Sequence, residues 1–342
     1  MEQRDQGLKV GLVGYGLAGR AIHSPLMRQA GHTVTDVVVR DPERVAAATA
    51  DWPGVRVHAG LDALLADSHV DVVVLASPTG LHVDHVLTVV GAGLPVVVDK
   101  PLALDEAGAR RVVEAAEEAS VPLTVFHNRR WDSEQLTLRG LLDAGALGDV
   151  HRFERRWERW RPVPRRRWKE EAVGQGGGLL LDLGAHLVDS ATQLFGPVTA
   201  VLAELRSLTT PTEDDVFLAL DHASGTVSHL WAGALVGAPG PRTRVLGSDG
   251  AYLVTSFEGE STPFAALDPG PGAEGWLVHG DQMSPVPRAA GEHADFYRAV
   301  GRWLAGSGPV PVDPWDAVRT ATVLDAARRS AELRQRVRLD EG

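Results

Sequence analysis

The chain has 342 residues, a net charge of −11, 44% hydrophobic residues and no cysteine. At roughly 150 residues per domain, that length predicts about two folded domains with buried cores, not a disordered chain. The negative field opposes nucleic acid and anionic membranes, and the missing thiols exclude disulfides, thiolate metal sites and cysteine nucleophiles. No apolar run reaches the roughly 18 residues a membrane helix needs, and a charged stub leads straight into a strand pattern, so a soluble cytoplasmic protein is expected.

In chain order, β-branched runs predict strands over 10–13, 34–39, 70–75, 95–98 and 123–126. Between them, helical patterns cover 17–30, 42–50, 61–66, 80–91 and 105–119. Strictly alternating β and α segments imply parallel βαβ units, hence an N-terminal Rossmann-type, doubly wound parallel sheet. Beyond 128 the rhythm changes. A helix over 133–142, an arginine-rich stretch and a helix through Asp182 precede strand-like runs at 199–205, 216–220, 226–231, 242–246 and 252–255. Successive strands without intervening helices imply an antiparallel sheet in a second α/β domain. The segment 262–287, rich in Gly and Pro, reads as a loop excursion, and helices close the chain over 293–305 and 314–334. The expected division is a dinucleotide-binding domain over 1–127 and a substrate-binding and oligomerisation domain over 128–342.

Gly14-Tyr15-Gly16-Leu17-Ala18-Gly19 follows the first strand and opens the first helix, which is where a G-x-G-x-x-G turn binds a dinucleotide. Gly14 permits the tight turn, Gly16 a close approach to the pyrophosphate, and Gly19 the packing of helix on strand. A glycine-rich turn without a ligand is the alternative. At the end of the second strand, where an acid would accept the ribose 2′-hydroxyl of NAD, the sequence reads Val39-Arg40-Asp41. Arg40 favours NADP(H) by pairing with a 2′-phosphate, and NAD(H) is the alternative in which Asp41 takes the ribose.

Two segments carry candidate chemistry. Lys100 stands at the carboxyl end of the strand over 95–98, where open parallel sheets bind ligands, although a lone lysine there also reads as a solvated charge. Downstream, Gly176-Gly177-Gly178 leads into Asp182 and His186, spaced i and i+4 on a helix face. Histidine suits proton transfer near neutral pH, and a carboxylate beside it orients the ring. A structural Asp–His pair is the competing reading. Asp189 would complete a metal-like spacing, but without a further ligand cluster no metal is expected. His82 and His85 read as surface or packing residues.

With these motifs in order, the sequence resembles the Gfo/Idh/MocA oxidoreductases along essentially its whole length. The resemblance is strongest to their NADP-dependent scyllo-inositol dehydrogenase branch, on His23-Ser24-Pro25-Leu26, the run from Phe126 to Asp132, and Pro239-Gly240-Pro241-Arg242. It implies a second domain built on a large open, mainly antiparallel sheet that serves oligomer contacts, as a homodimer or homotetramer. It also implies hydride exchange between nicotinamide C4 and a carbinol carbon of a sugar or cyclitol. His186 would be the acid/base, Asp182 would orient the substrate or the imidazole, and Lys100 would hold the reacting oxygen. Pro101 would shape the turn beside the nicotinamide, with Ser77 and Pro78 lining the cofactor loop and Asn128 and Arg129 at the next strand end. Asp99 stands where that family carries Glu, so contacts requiring the longer side chain are in doubt. A glycosidase that retains NAD and a cofactor-binding sensor are the rival functions.

The stretch 152–169 holds nine basic residues, two acidic ones and three tryptophans. Such interleaving also fits single-stranded nucleic acid. Because 152–156 alternates like an edge strand and the resembling branch has a Trp- and Arg-rich loop here, Trp160, Arg161, Arg167 and Trp168 are expected to line the cofactor or substrate cleft. No nucleic-acid or membrane partner is expected.

Overall fold

The computed structural model describes residues 7–67, 69–165, 168–256 and 262–339. Two compact units emerge, Met1–Asn128 with Glu292–Arg319, and Arg129–Gly291 with Thr320–Gly342. The first therefore gains a C-terminal segment that the sequence reading placed in the second domain.

The first unit runs β1 (Lys9–Val13), α1 (Ser24–Gln29), β2 (Thr33–Val38), α2 (Pro42–Asp51), β3 (Arg56–His58), α3 (Leu61–Asp67), β4 (Val72–Leu75), α4 (His82–Gly91), β5 (Val96–Asp99), α5 (Glu106–Glu118) and β6 (Leu123–Phe126). The strands form one parallel sheet in the order β3-β2-β1-β4-β5-β6. Strand β4 is buried at every position and β1 at all but its first, as a sheet covered on both faces requires. Chain order reverses between β1 and β4, and the crevice at their carboxyl ends is the ligand site of such sheets. The short β3 escapes sequence detection: only three residues long, it buries one of them.

The second unit contains α6 (Ser133–Asp143), β7 (Val150–Glu158), α7 (Trp168–Glu171), α8 (Ala185–Phe195), β8 (Val198–Arg206), β9 (Asp215–His222), β10 (Val227–Gly233), β11 (Thr243–Gly247), β12 (Ala251–Val254), β13 (Ala273–His279) and β14 (Gln282–Pro287). The chain then forms α9 (Ala294–Leu304), α10 (Pro314–Leu333) and β15 (Val337–Arg338). The nine-stranded sheet has the order β14-β13-β12-β11-β7-β10-β9-β8-β15 and is antiparallel except for the parallel pairing of β7 with β10.

Two expectations about this sheet are corrected. The expected excursion over 262–287 contains β13 and β14. Its glycine and proline content has sheet reasons: a side chain at Gly275 would meet Leu253 O at 2.6 Å, and Pro285 and Pro287 sit on the outermost strand, which tolerates a missing donor. The segment 152–156, read as an edge, is central, because β7 pairs on both sides with β10 and β11. Its alternation separates two faces. Phe153, Arg155 and Trp157 are buried against helical elements, while on the other face Glu154 accepts from Arg156 of the same strand and from Arg244 of neighbouring β11.

The C-terminal segment joins the first unit through α9, whose Phe296, Tyr297 and Val300 are buried. The Phe126 ring packs 5.0 Å from Phe296 and 5.6 Å from Tyr297, and His32 Nε2 lies 2.8 Å from Tyr297 O. Sequence reading placed α9 correctly but lacked this long-range contact. No helix among the described residues is long and apolar enough to cross a membrane.

Candidate functional site

In the first unit, the glycine turn sits at the topological switch point. Gly14 has a φ of +97°, and a Cβ there would stand 2.8 Å from Ala76 O, just past β4. A Cβ on Gly19 would fall 2.0 Å from Gly14 O, so both positions exclude larger residues for backbone reasons. Gly16 differs. Its nearest neighbour to an added Cβ is Arg44 Nη1 at 3.7 Å, so protein packing does not demand glycine and the cradle stays open on that side. That opening suits a pyrophosphate approaching backbone amides at a helix start. From Leu17 the chain winds helically, widening to a π turn over Gly19–His23 before α1.

Arg40 is exposed, and its Nε donates to Ala59 O at 2.7 Å. Asp41 caps α2: its Oδ1 accepts the Arg44 amide at 3.0 Å. Val39, in the acid's place, is buried.

Ser77 and Pro78 follow β4, and Lys100 and Pro101 follow β5, joined by a cis peptide. His82 ties these two turns together, with Nε2 2.9 Å from Ser77 O and Nδ1 2.9 Å from Pro101 O. It is fully buried, and burial holds its pKa below the usual histidine range against the pull of Asp99. His85 Nδ1 lies 3.0 Å from the Ser77 hydroxyl. The reading of both as surface or packing residues missed these loop contacts, because a hydrogen bond to a carbonyl nineteen residues away leaves no local pattern. Asn128, just past β6, is buried.

Asp99 Oδ2 stands 3.6 Å from His23 Nε2, beyond ordinary hydrogen-bond length, while His23 Nδ1 lies 2.6 Å from the Tyr297 hydroxyl. The other carboxylate oxygen, Oδ1, accepts the Lys100 amide at 2.8 Å. Burial alone would raise the Asp99 pKa, but His23, Lys100 and His82 outweigh it and hold the group at about 2. A folded pKa below the unfolded value adds stability that is fully present above about 4 and is lost as pH falls towards 2. Asp99→Asn should therefore cost roughly 2 kcal/mol at pH 7 and almost nothing near pH 2, checked by denaturant unfolding at both values. A loss of equal size at both would rule out the charge pairing.

The second unit holds His186 on the first turn of α8. Its ring tilts 32° against the Trp157 indole at 5.8 Å. Trp157 is buried, with the guanidinium carbons of Arg129, Arg242 and Arg159 at 4.8, 5.0 and 5.5 Å from its ring. Arg129, Arg130, Arg155, Trp157, Asp189 and Arg242 line the pocket around His186. Asp189, weighed above as a metal ligand, receives both Arg130 Nε (3.0 Å) and Nη2 (2.5 Å). Also lining the pocket, buried Glu134 takes Arg242 Nε at 3.1 Å and Arg155 Nη2 at 3.4 Å. Burial would raise its pKa, but the two guanidiniums and the Thr243 hydroxyl hold it at about 2. The charges around His186 thus pair with one another, and they enclose a cavity of about 10 Å³, room for about one water.

Asp182 lies on a π turn over Leu180–Gly184 that precedes α8, so the four-residue spacing to His186 is not that of one regular helix. Its carboxylate pairs with Lys169 Nζ. Trp160 is exposed and forms an isolated bridge with Leu235, Arg161 N donates to Ala234 O at 2.7 Å, and Trp168 opens α7 with Lys169 over its ring. Arg167 lies outside the described residues. The structure thus gathers His186 and Arg129 in one pocket of the second unit, and places the glycine turn, Arg40, Ser77, Pro78, Lys100, Pro101 and Asn128 in the first. Trp157, Arg130, Arg155, Glu134 and Arg242 were missed as site residues. Their signal, alternation within β7 and an acid opening α6, was visible only as a charge run.

The chain matches the model of an oxidoreductase family with an NAD-binding Rossmann fold over residues 8–127 and the GFO/IDH/MocA C-terminal domain over residues 135–253. It is 33% identical to the uncharacterized oxidoreductase YdgJ of Escherichia coli, over 96% of this chain and 97% of the relative. The chain belongs to the Gfo/Idh/MocA oxidoreductase family. It is also 28% identical to scyllo-inositol 2-dehydrogenase (NADP(+)) IolW of Bacillus subtilis, over 97% and 96% of the two chains. The structure of the oxidoreductase yvaA from Bacillus subtilis superposes with a TM-score of 0.87 at 27% identity, covering 99% of this chain and all of that one. As a Gfo/Idh/MocA member, the protein is an NAD(P)-binding oxidoreductase with inositol dehydrogenases among its relatives.

Proposed function

We propose that the protein is an NADP(H)-preferring dehydrogenase or reductase acting on the CH–OH or ketone carbon of a cyclitol or sugar, with an inositol/inosose pair favoured. The observation that carries this reading is the placement of His186 on the first turn of α8, its ring held against the Trp157 indole with Arg129 beside it. Similarity along the whole chain to an NADP-dependent scyllo-inositol dehydrogenase supports the same class.

The residues present fit a dinucleotide: an open cradle at Gly16, a helix start, and Arg40 instead of an acid at the end of β2. When bound, the nicotinamide supplies or accepts the hydride. His186 takes the proton of the reacting hydroxyl during oxidation and returns it during reduction. Lys100 hydrogen-bonds the same oxygen and stabilises its negative charge as hydride moves. Asp182, with Lys169, positions the substrate, and Pro101 shapes the turn that carries Lys100. Arg129, Asn128, Trp160 and Arg161 contribute substrate contacts, and Ser77, Pro78 and Trp168 contribute cofactor contacts. A cytoplasmic homodimer or homotetramer without nucleic-acid or membrane partners belongs to the same proposal.

The test is reduction of NADP+ and NAD+ by the purified protein across inositols, aldoses and sugar acids. Turnover of a polyol with NADP+ preferred is expected. Binding of cofactor with no turnover of any polyol or sugar would overturn the reading.

A further inference from the structure

The cofactor end of the first unit holds a second arginine that the glycine motif does not reveal. Arg44, on the first turn of α2, is the nearest atom group to the open side of Gly16, with Nη1 3.7 Å from the position a Cβ would take. Its surroundings set it apart from the neighbouring arginines of the same groove. Arg20 bonds Asp51 Oδ2 at 3.0 Å, and Arg28 bonds Asp51 O and stacks over Trp52 at 4.3 Å. Arg44 is exposed and, among the described residues, makes no ion pair through its guanidinium. Arg40 stands across the β2 end with Nε already donating to Ala59 O and Nη2 3.9 Å from the Cβ position of Gly60.

The acid beside them also serves the helix, since Asp41 Oδ1 caps α2 by accepting the Arg44 amide. One hydrogen bond thus closes the helix and fixes the backbone from which Arg44 projects. It also gives one oxygen of the only acidic side chain on 39–42 a backbone partner. A ribose 2′-hydroxyl seeking a carboxylate finds buried Val39 at the usual position. A phosphate monoester, carrying about −1.5 to −2 charge at neutral pH, finds two guanidiniums and the positive end of a ten-residue helix.

We propose that Arg44 is a specificity-determining residue for the adenosine 2′-phosphate, closing over it from the α2 side while Arg40, steadied by Ala59, holds it from the β2 end. The inference rests on the NADP(H) reading and assigns the larger share of discrimination to Arg44, whose guanidinium makes no hydrogen bond or ion pair among the described residues, whereas Arg40 Nε is held by Ala59 O.

The test measures binding by calorimetry, with 2′,5′-ADP and 5′-ADP as probes, on the full chain and on Arg44→Ala, Arg44→Lys and Arg40→Ala. Wild type should favour 2′,5′-ADP. Arg44→Ala should lose about 10- to 100-fold for 2′,5′-ADP and less than about twofold for 5′-ADP, and Arg44→Lys should recover part of the loss. Unchanged 5′-ADP binding also shows that the variant is folded. If wild type discriminates and only Arg40→Ala removes the discrimination, the Arg44 assignment is overturned and the NADP(H) reading stands. If wild type binds the two probes equally, the NADP(H) reading fails and the Arg44 assignment falls with it.

Discussion

Replacing His186 with alanine is expected to lower kcat for a polyol substrate by roughly 10²- to 10⁴-fold, the usual contribution of a positioned acid/base. Cofactor affinity should stay near wild type, because the dinucleotide contacts proposed above, on the glycine turn, Arg40, Arg44, Ser77, Pro78 and Trp168, do not include His186. His186 lies on the first turn of α8, its ring against an indole flanked by three guanidiniums. The site thus fixes the ring plane without relying on a mobile loop. Steady-state kinetics with saturating cofactor, together with direct titration of cofactor binding, makes the comparison. A variant that keeps a tenth or more of wild-type kcat would remove His186 from the proton-transfer role.

Glu134→Gln is expected to be the most destabilising single change in the second unit. Glu134 is buried and accepts from Arg242, Arg155 and Thr243, so glutamine keeps the shape but leaves two buried guanidiniums without their shared countercharge. Breaking one side of such a buried ion pair costs about 3–5 kcal/mol, or roughly 10 °C in Tm for a unit of this size. The pH dependence carries the same signature. Since Glu134 is held at about 2, well below its ordinary value of 4.5, its stabilisation is complete above about pH 5 and disappears as pH falls towards 2. Thermal unfolding of wild type and variant at pH 7 and pH 3 should show a gap that narrows in acid. A Tm within about 2 °C of wild type at pH 7 would mean that the arginines find other partners.

The fate of individual residues shows what the sequence could reveal. The parallel sheet was readable because β1 and β4 are short, β-branched and nearly all buried, and each is followed by glycine or a helix signal. The glycine turn and the position of Lys100 just past β5 were readable because each depends on local order along one strand and one turn. By contrast, β13 and β14 were hidden by Gly275, Pro285 and Pro287, whose roles depend on a neighbouring strand and an exposed edge. The central place of β7 was hidden for the same reason, since Arg155 becomes a buried residue only when Glu134, Gln135 and Ser190 come to meet it. Asp182 and His186 were read as one helix face, whereas the structure puts Asp182 on a π turn ahead of α8 with its carboxylate paired to Lys169. Nothing in the local sequence announces that π turn. Arg44 was overlooked because its importance comes from proximity to Gly16, twenty-eight residues earlier by number and adjacent only in the folded sheet.

Hydride transfer to NADP+ from a polyol carrying deuterium on the reacting carbinol carbon tests the proposed chemistry most directly. Mass spectrometry of the recovered cofactor should find the label on the reduced nicotinamide, in equal amount to the ketone formed. Deuterium that remains wholly on the polyol, or that washes into water while the cofactor stays oxidised, would contradict hydride exchange as the reaction of this site.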